Sequence, residues 1–430
     1  FLTSAHRLAD YRESAGLRTQ VVDVQDVYDE FGGGVYDPRA IRQFVKFAFE
    51  NWRPAPTYLL LLGDATYFMD KAGNGKSTFR SFVPSYMVNT TSFGMTSSDN
   101  YFAAVSGDDD LPDLFVGRLP ANSTEQAEVM IDKIIAYETR QTADVWRRNV
   151  SLIAGSGDFF STAADYVDAH HLPRWLAVNK LYTDPNSPKF RTTEDLIDWI
   201  NQGQSILNFL VHGAGEQIDD NDLLGKDDML RLKNADRYSF AVTMSCYIGH
   251  FDNPEKHSLG EALLTEPNRG IMALFGSAGK SYRYADFYFN NAVFDGIFRQ
   301  KRRTLGEITT FAKYDLISQT RGFYEPVRNF LLLGDPATRL ILPEASLPLT
   351  LSKTVLVEGD KLRVSGEVSG RGTLTLTAVN DADSVIAEKQ LEASGKFEID
   401  LVTMTPQLRR AWGESGGSGH VRAFFNNGAA

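Results

Sequence analysis

Eight short apolar runs are spread through the first 342 residues, with amphipathic helix patterns between most of them. The runs are "TQVVDV" (19–24), "YLLLLGD" (58–64), "DLFVGRL" (113–119), "NVSLIAG" (149–155), "ILNFLVHG" (206–213), "FAVTMSC" (240–246), "IMALFG" (271–276) and "FLLLGDP" (330–336). Strands so continuously apolar belong in a sheet covered on both faces, which is the habit of parallel sheets. The intervening segments carry helix punctuation. "DPRAIRQFVKFAFENW" opens with Asp37 as an N-cap and Pro38 in the first turn, and "TTEDLIDWINQG" closes on glycine. Alternation of this kind predicts an α/β doubly wound fold with mostly parallel sheets. Its two halves, 1–142 and 143–342, are expected as α/β subdomains side by side. Beyond "LPEASLPLT" the pattern shortens to alternating segments such as "KLRVSGEV", "GTLTLTAV" and "KFEIDLV". Residues 346–430 are therefore expected to form a small immunoglobulin-like β-sandwich.

Composition narrows the function. A formal net charge of −11 without a basic block argues against nucleic acid as a partner. A single cysteine excludes an internal disulfide framework and a cysteine-rich zinc site. No apolar run approaches the roughly 18 residues that span a bilayer. The chain opens inside a helical pattern, "FLTSAHRLADYRESAG", without a start methionine, so it is expected to belong to a longer precursor with further domains.

That cysteine, Cys246, ends an apolar run. A free cysteine is often a small buried hydrophobe, yet in open α/β sheets the functional groups collect beyond the carboxyl ends of the strands. A thiol there needs a base to ionise it. Of the seven histidines, only His212 also stands at the end of a core-strand pattern, in "ILNFLVHGAGE". If the two strands are neighbours, His212 and Cys246 meet at one rim. Gly213 would let substrate approach and leave a backbone N–H to face an oxyanion.

"LVHGAGE", followed about 30 residues later by "TMSCYIG", resembles the His-Gly and Cys arrangement of caspase-like cysteine peptidases, and most closely the gingipain family. "YLLLLGDATY", "SSDNYFAAVSGDDDLPDLFVGRLPA" and "NFLLLGDPATRL" resemble further segments of that family in its order, as does an immunoglobulin-like domain after the catalytic unit. One departure is the absence of a strand before the first helix.

The resemblance implies a cysteine endopeptidase with a caspase-like fold and a protein or peptide substrate. Cys246 and His212 would be its dyad, and the backbone N–H groups of Gly213 and Cys246 its oxyanion donors. Asp158 would be the acidic third member. The pocket for the residue before the scissile bond would involve Asp165, with Asp168 nearby, and Ser277 and Tyr282 on the opposite wall. Basic residues would be preferred, although Lys280 and Arg283 in "GSAGKSYRY" would favour an acidic one. The resemblance also implies bacterial secretion or surface attachment, and no redox or nucleotide cofactor is required.

Three other segments carry weaker signals. "AGNGKST" (72–78) lacks the first glycine of a phosphate loop, and Asp70 stands there instead. "HFDNPEKH" (250–257) offers His250, Asp252 and His257 to a metal, but reads better as a loop leading into a helix. "SGDDDLPD" puts Asp108, Asp109, Asp110 and Asp113 in one loop. That suits structural Ca²⁺, with Asp108 and Asp110 as candidate ligands, or a bare acidic turn. Two other functions use the same residues: a transpeptidase that passes the acyl group to an amine, as sortases do, and a catalytically silent surface binding module.

Overall fold

The computed structural model describes residues 1–67, 79–91, 94–140, 144–219, 222–343, 347–380, 384–412 and 418–426. The "AGNGKST" segment lies outside them, as do parts of the linker near 345 and of the "GESGGSGH" loop. The chain forms two compact units. The first comprises Phe1–Thr139, Ser151–Leu172 and Lys180–Leu340, and the second comprises Arg140–Val150, Pro173–Asn179 and Ile341–Ala430.

Most of an eight-stranded sheet lies in the first unit. Its strands are β1 (Tyr58–Leu62), β2 (Phe115–Leu119), β3 (Asn149–Ala154), β4 (Ala177–Tyr182), β5 (Ile206–Leu210), β6 (Ser239–Met244), β7 (Ile271–Ser277) and β8 (Phe330–Leu333). They lie in the order β1-β2-β8-β7-β6-β5-β3-β4. The pairs β1/β2, β2/β8, β5/β6 and β6/β7 are parallel, and β8 runs antiparallel to β7. The two halves of the sequence thus contribute to one continuous sheet, in which β8, the last of the eight in sequence, is the seam. Every residue of β5, β6, β7 and β8 is buried, as strands covered on both faces must be.

Two of the sequence expectations need correction. Residues 19–23 form no strand, and the segment leads into a helix from Val24 to Gly32 capped by the Asp23 side chain. Val22 is 38% exposed there, so the apolar run is not buried on two faces. Conversely, "AVNKLY" forms the edge strand β4, missed because Asn179 and Lys180 interrupt it. Edge strands commonly carry lysine, which discourages pairing with another chain.

The helices are fixed by local chemistry. They include α1 (Leu2–Ser14), α2 (Val24–Gly32), α3 (Pro38–Asn51), α4 (Thr124–Thr139), α5 (Asp158–His170), α6 (Thr193–Gln202), α7 (Leu259–Thr265), α8 (Arg283–Phe298) and α9 (Leu305–Thr320). The Asp37 carboxylate accepts from the Arg39 N–H at the start of α3, and α6, α7 and α9 open with capping boxes. Leu8, Ile131, Ile134, Leu196, Ile200 and Leu263 bury their helices against one sheet face. On the other face Phe289 of α8 meets Phe275 of β7 and Phe330 of β8, with centroids 5.6 and 4.5 Å apart.

Two buried arginines fasten these layers. Arg118 on β2 is fully buried, donates to Asp99 at 2.6 and 2.8 Å, and also reaches the Gly63 and Val83 carbonyls. Arg12 on α1 joins Glu138 to Asp335, so the aspartate of "LLLGDPATRL" has a structural task. Among the described residues no helix is long and apolar enough to cross a membrane.

The second unit centres on an antiparallel sheet of β9 (Leu349–Leu351), β10 (Lys361–Asn380), β11 (Val385–Thr403) and β12 (Gly419–Asn426). The long β10/β11 ribbon shifts register between Val368 and Arg371. Before that shift β10 pairs with β9, and after it with β12. Leu362, Val364, Leu374, Leu376, Phe397 and Leu401 from both halves share one core. This arrangement is consistent with the expected β-sandwich.

Candidate active site

The site is built at the carboxyl ends of β5 and β6. These strands are parallel neighbours, and Leu210 lies opposite Met244 in their ladder. Two residues beyond that pair come His212 after β5 and Cys246 after β6, so the register carries both to the same end of the sheet. Burial changes at the same step: Val211 and Ser245 are buried, whereas His212 and Cys246 are half-buried.

Gly213 shows how closely the two loops approach. A Cβ placed on it would lie 2.2 Å from Ser245 Oγ and 2.6 Å from the Cys246 carbonyl oxygen. No side chain fits there, and this tight packing accounts for a glycine after the histidine. Among the described residues, neither the Gly213 nor the Cys246 N–H is engaged in a hydrogen bond. The strand end at Cys246 turns sharply, with Tyr247 in the left-handed region at φ 62° and its N–H given to the Gly279 carbonyl at 2.8 Å. A bulky residue there is a strained element, held in place by its surroundings.

The sulfur itself faces Ser281. The Ser281 N–H nitrogen is 3.4 Å from Cys246 Sγ, its Oγ is 3.6 Å away, and that hydroxyl donates to Asp286 Oδ2 at 2.9 Å. His212 packs its ring edge-on against Phe160 of α5, at 5.0 Å and 86°, and its carbonyl accepts from the Asp219 N–H at 2.8 Å.

The remaining candidates fare differently. Asp158 opens α5, two residues before the phenylalanine that touches His212, but among the described residues its carboxylate makes no hydrogen bond or ion pair with that imidazole. It lines a cleft of about 260 Å³ together with Asp165, Asp184 and Lys189. Asp158 is exposed, whereas the carboxylate of Asp219 is buried by the same strand end; a Cβ on Gly155 would come within 2.9 Å of its Oδ1. It was overlooked because "EQIDDNDLLG" reads as a polar loop.

Asp165 accepts from Lys180, Lys189 and the Tyr182 hydroxyl at 2.9, 2.7 and 2.6 Å. Partial burial opposes its ionisation, but those three donors win and hold its carboxyl down to about 2. Two lysines of the fold thus already neutralise the charge expected to meet a basic substrate residue. Asp168 likewise pairs with Lys180. Ser277 is buried at the end of β7 and donates to the Gly279 carbonyl at 3.0 Å, so it does not form a pocket wall. The Tyr282 hydroxyl donates to Glu325 at 2.5 Å.

The acidic loop does not gather its carboxylates. Asp108 is exposed, Asp110 pairs with Arg328, Asp109 accepts from the Leu111 N–H, and Asp113 accepts from Val105 and Ser106. These are the contacts of a self-capped turn. The described residues that could hold a metal ion are Asp64, His257 and Glu261, with one ligand atom from each within 4.8 Å of the others. Burial pushes Asp64 well above the usual carboxylate range and Glu261 up to about 8. A cation between two buried carboxylates and an imidazole would relieve that cost. His257 Nδ1 already lies 2.8 Å from Glu261, and His250 pairs with Asp252 at 3.1 Å.

With this geometry in place, comparison with known proteins decides the family. The family model for Peptidase family C25 matches residues 1–341. The chain belongs to peptidase family C25. Among curated relatives, Lys-gingipain of Porphyromonas gingivalis is 26% identical over 249 residues, covering 56% of this chain and 13% of that protein. Gingipain R2 of the same organism is 26% identical over 252 residues, covering 56% of this chain and 30% of that protein. The chain therefore matches less than a third of the length of either relative. The solved structure of the Arg-specific cysteine proteinase gingipain R superposes with a TM-score of 0.64 at 20% identity, over 98% of this chain and 93% of that one. At that identity the match speaks for the fold.

Proposed function

We propose that this chain is a cysteine endopeptidase in which Cys246 is the nucleophile and His212 its acid–base partner. The observation that carries the proposal is the β5/β6 register, which delivers both side chains to one rim, with the Gly213 backbone packed on Cys246. His212 takes the Cys246 thiol proton, the thiolate attacks the scissile carbonyl carbon, and the carbonyl π electrons move to oxygen. The amides of Gly213 and Cys246 are available to that oxyanion. His212 protonates the leaving amine as the C–N bond breaks, giving a thioester. Water, deprotonated by His212, then cleaves the thioester, and the thiol is restored.

Membership of a peptidase family supports this reading. Asp158 is proposed as the acidic partner that orients His212, at the mouth of α5. A preference for basic residues is supported by three carboxylates against one lysine lining the adjacent cleft, with Asp158 and Asp184 carrying it while Asp165 is held by lysines. The names of the relatives, Lys-gingipain and the Arg-specific gingipain R, point the same way. Arg283, whose guanidinium lies 5.7 Å from the Phe160 ring centroid, opposes it. Export to the cell surface and further domains of a precursor are proposed on the same likeness.

Digestion of a diverse peptide library by wild type and Cys246→Ala tests the proposal. Cleavage only by wild type, after Lys or Arg, is expected. Equal cleavage by both proteins would remove the site assignment, and cuts after acidic residues would remove the pocket assignment.

A further inference from the structure

We infer that Cys246 has a second proton partner besides His212: the carboxyl group of Asp286, reached through the hydroxyl of Ser281. The inference rests on the cysteine-peptidase reading and adds residues to it. Its basis is a continuous hydrogen-bonded chain, Cys246 Sγ to Ser281 Oγ at 3.6 Å and Ser281 Oγ to Asp286 Oδ2 at 2.9 Å. In contrast, no hydrogen bond joins Cys246 to His212 among the described residues, even at the longer reach allowed to sulfur.

The environment of Asp286 sets it apart from a surface carboxylate. It lies in the first turn of α8, is buried, and its other oxygen, Oδ1, has no hydrogen-bond partner among the described residues. A buried carboxylate with one donor is poorly compensated. Accordingly burial pushes its carboxyl up to about 7, against the weaker pull of the Ser281 hydroxyl. A carboxyl raised in this way takes a proton from a neighbouring group at less cost than an ordinary carboxylate does.

The direction of each bond follows from counting protons. An ionised Asp286 can only accept, so the single Ser281 hydroxyl proton is committed to it, and the Ser281 lone pairs face the sulfur. The thiol then donates S–H to Ser281 Oγ. On ionisation the S–H bond breaks and its proton goes to Ser281 Oγ. The original Ser281 proton goes to Asp286 Oδ2. Thiol plus carboxylate become thiolate plus carboxylic acid, and serine stays neutral. In the new state Ser281 donates to the thiolate through both its hydroxyl and its N–H. Two donors on sulfur favour the ionised form. Ser281 touches the reacting sulfur, and Asp286 acts through it as a positioning residue.

The test is the rate at which iodoacetamide alkylates Cys246 in folded protein, followed from pH 5 to 9 in wild type, Ser281→Ala, Ser281→Thr and Asp286→Asn, with thermal melting as the check on folding. Asp286→Asn is expected to remove the inflection that Asp286 gives the pH profile, and Ser281→Ala to lower the rate at pH 7 about tenfold, by taking the hydroxyl donor from the thiolate and moving thiol ionisation about one pH unit upward. Ser281→Thr, which keeps the hydroxyl, is expected to restore it. An unchanged pH profile in Ser281→Ala overturns the relay, even should Asp286→Asn fail to fold. Alkylation reports thiolate and not peptide cleavage. Loss of the peptidase reading would appear as equal cleavage by wild type and Cys246→Ala, a separate result.

Discussion

Replacing Gly213 by alanine tests the approach of the two loops on which the site depends. The added methyl would meet Ser245 Oγ at 2.2 Å and the Cys246 carbonyl oxygen at 2.6 Å. The serine hydroxyl can rotate away, but the carbonyl is backbone, so the His212 loop or the Cys246 turn must move. Overpacking of this kind costs about 1–3 kcal/mol of stability. The movement also displaces one oxyanion donor, a loss that lowers kcat by about 10²–10³-fold. Gly225→Ala is the control, because its Cβ would meet nothing nearer than the Gln217 Cβ at 4.0 Å, and its φ of −133° suits any residue. Peptide cleavage and denaturant unfolding, measured on both variants, should show Gly213→Ala impaired in both and Gly225→Ala near wild type. Wild-type cleavage and stability in Gly213→Ala would refute the packing of the two loops and the shared rim with it.

Further expectations follow from the charged groups. Asp165 is held down to about 2, so its ion pairs add stability above the unfolded carboxylate range that is lost as pH falls through about 2; the Tm gap between wild type and Asp165→Asn should close on acidification from pH 5 to 2. Asp286 has the opposite sign. Its folded form prefers the proton up to about 7, so wild type loses stability as pH rises from about 4 to 7, and Asp286→Asn should gain on wild type across that interval in urea titrations. If Asp64, His257 and Glu261 hold a cation, adding Zn²⁺ or Ca²⁺ to chelator-treated protein should raise Tm, with the rise lost in Asp64→Asn; a flat Tm in wild type would remove the metal reading. An added amine acceptor should leave hydrolysis as the main outcome, and dominant aminolysis would favour the transpeptidase.

Much of this site was legible in the sequence because strand ends in parallel sheets announce themselves. An apolar run that stops at a histidine or a cysteine places that side chain at the carboxyl edge, and β5 and β6 are such runs. Pairing between the runs was not legible, since a parallel ladder depends on a crossover whose path leaves no local mark. Nor was the position of β8, which carries the end of the first unit back between β2 and β7 and joins both halves. Charge compensation was equally hidden. Asp165 looked like a pocket carboxylate, but Lys189 is 24 residues away and reaches it only because of how β4 and its following turn fold. Nothing in the residue pattern singles out Asp286. Its role depends on burial beneath Ser281, which residue pattern does not reveal.

The measurement closest to the central claim is mass spectrometry of the folded protein after treatment with a peptidyl chloromethyl ketone that carries lysine or arginine next to the reactive group. A single adduct on Cys246 is expected, forming quickly in wild type and at least tenfold more slowly in His212→Ala. Labelling at the same rate in both proteins, or no labelling of Cys246 at all, would contradict a working pair at the ends of β5 and β6.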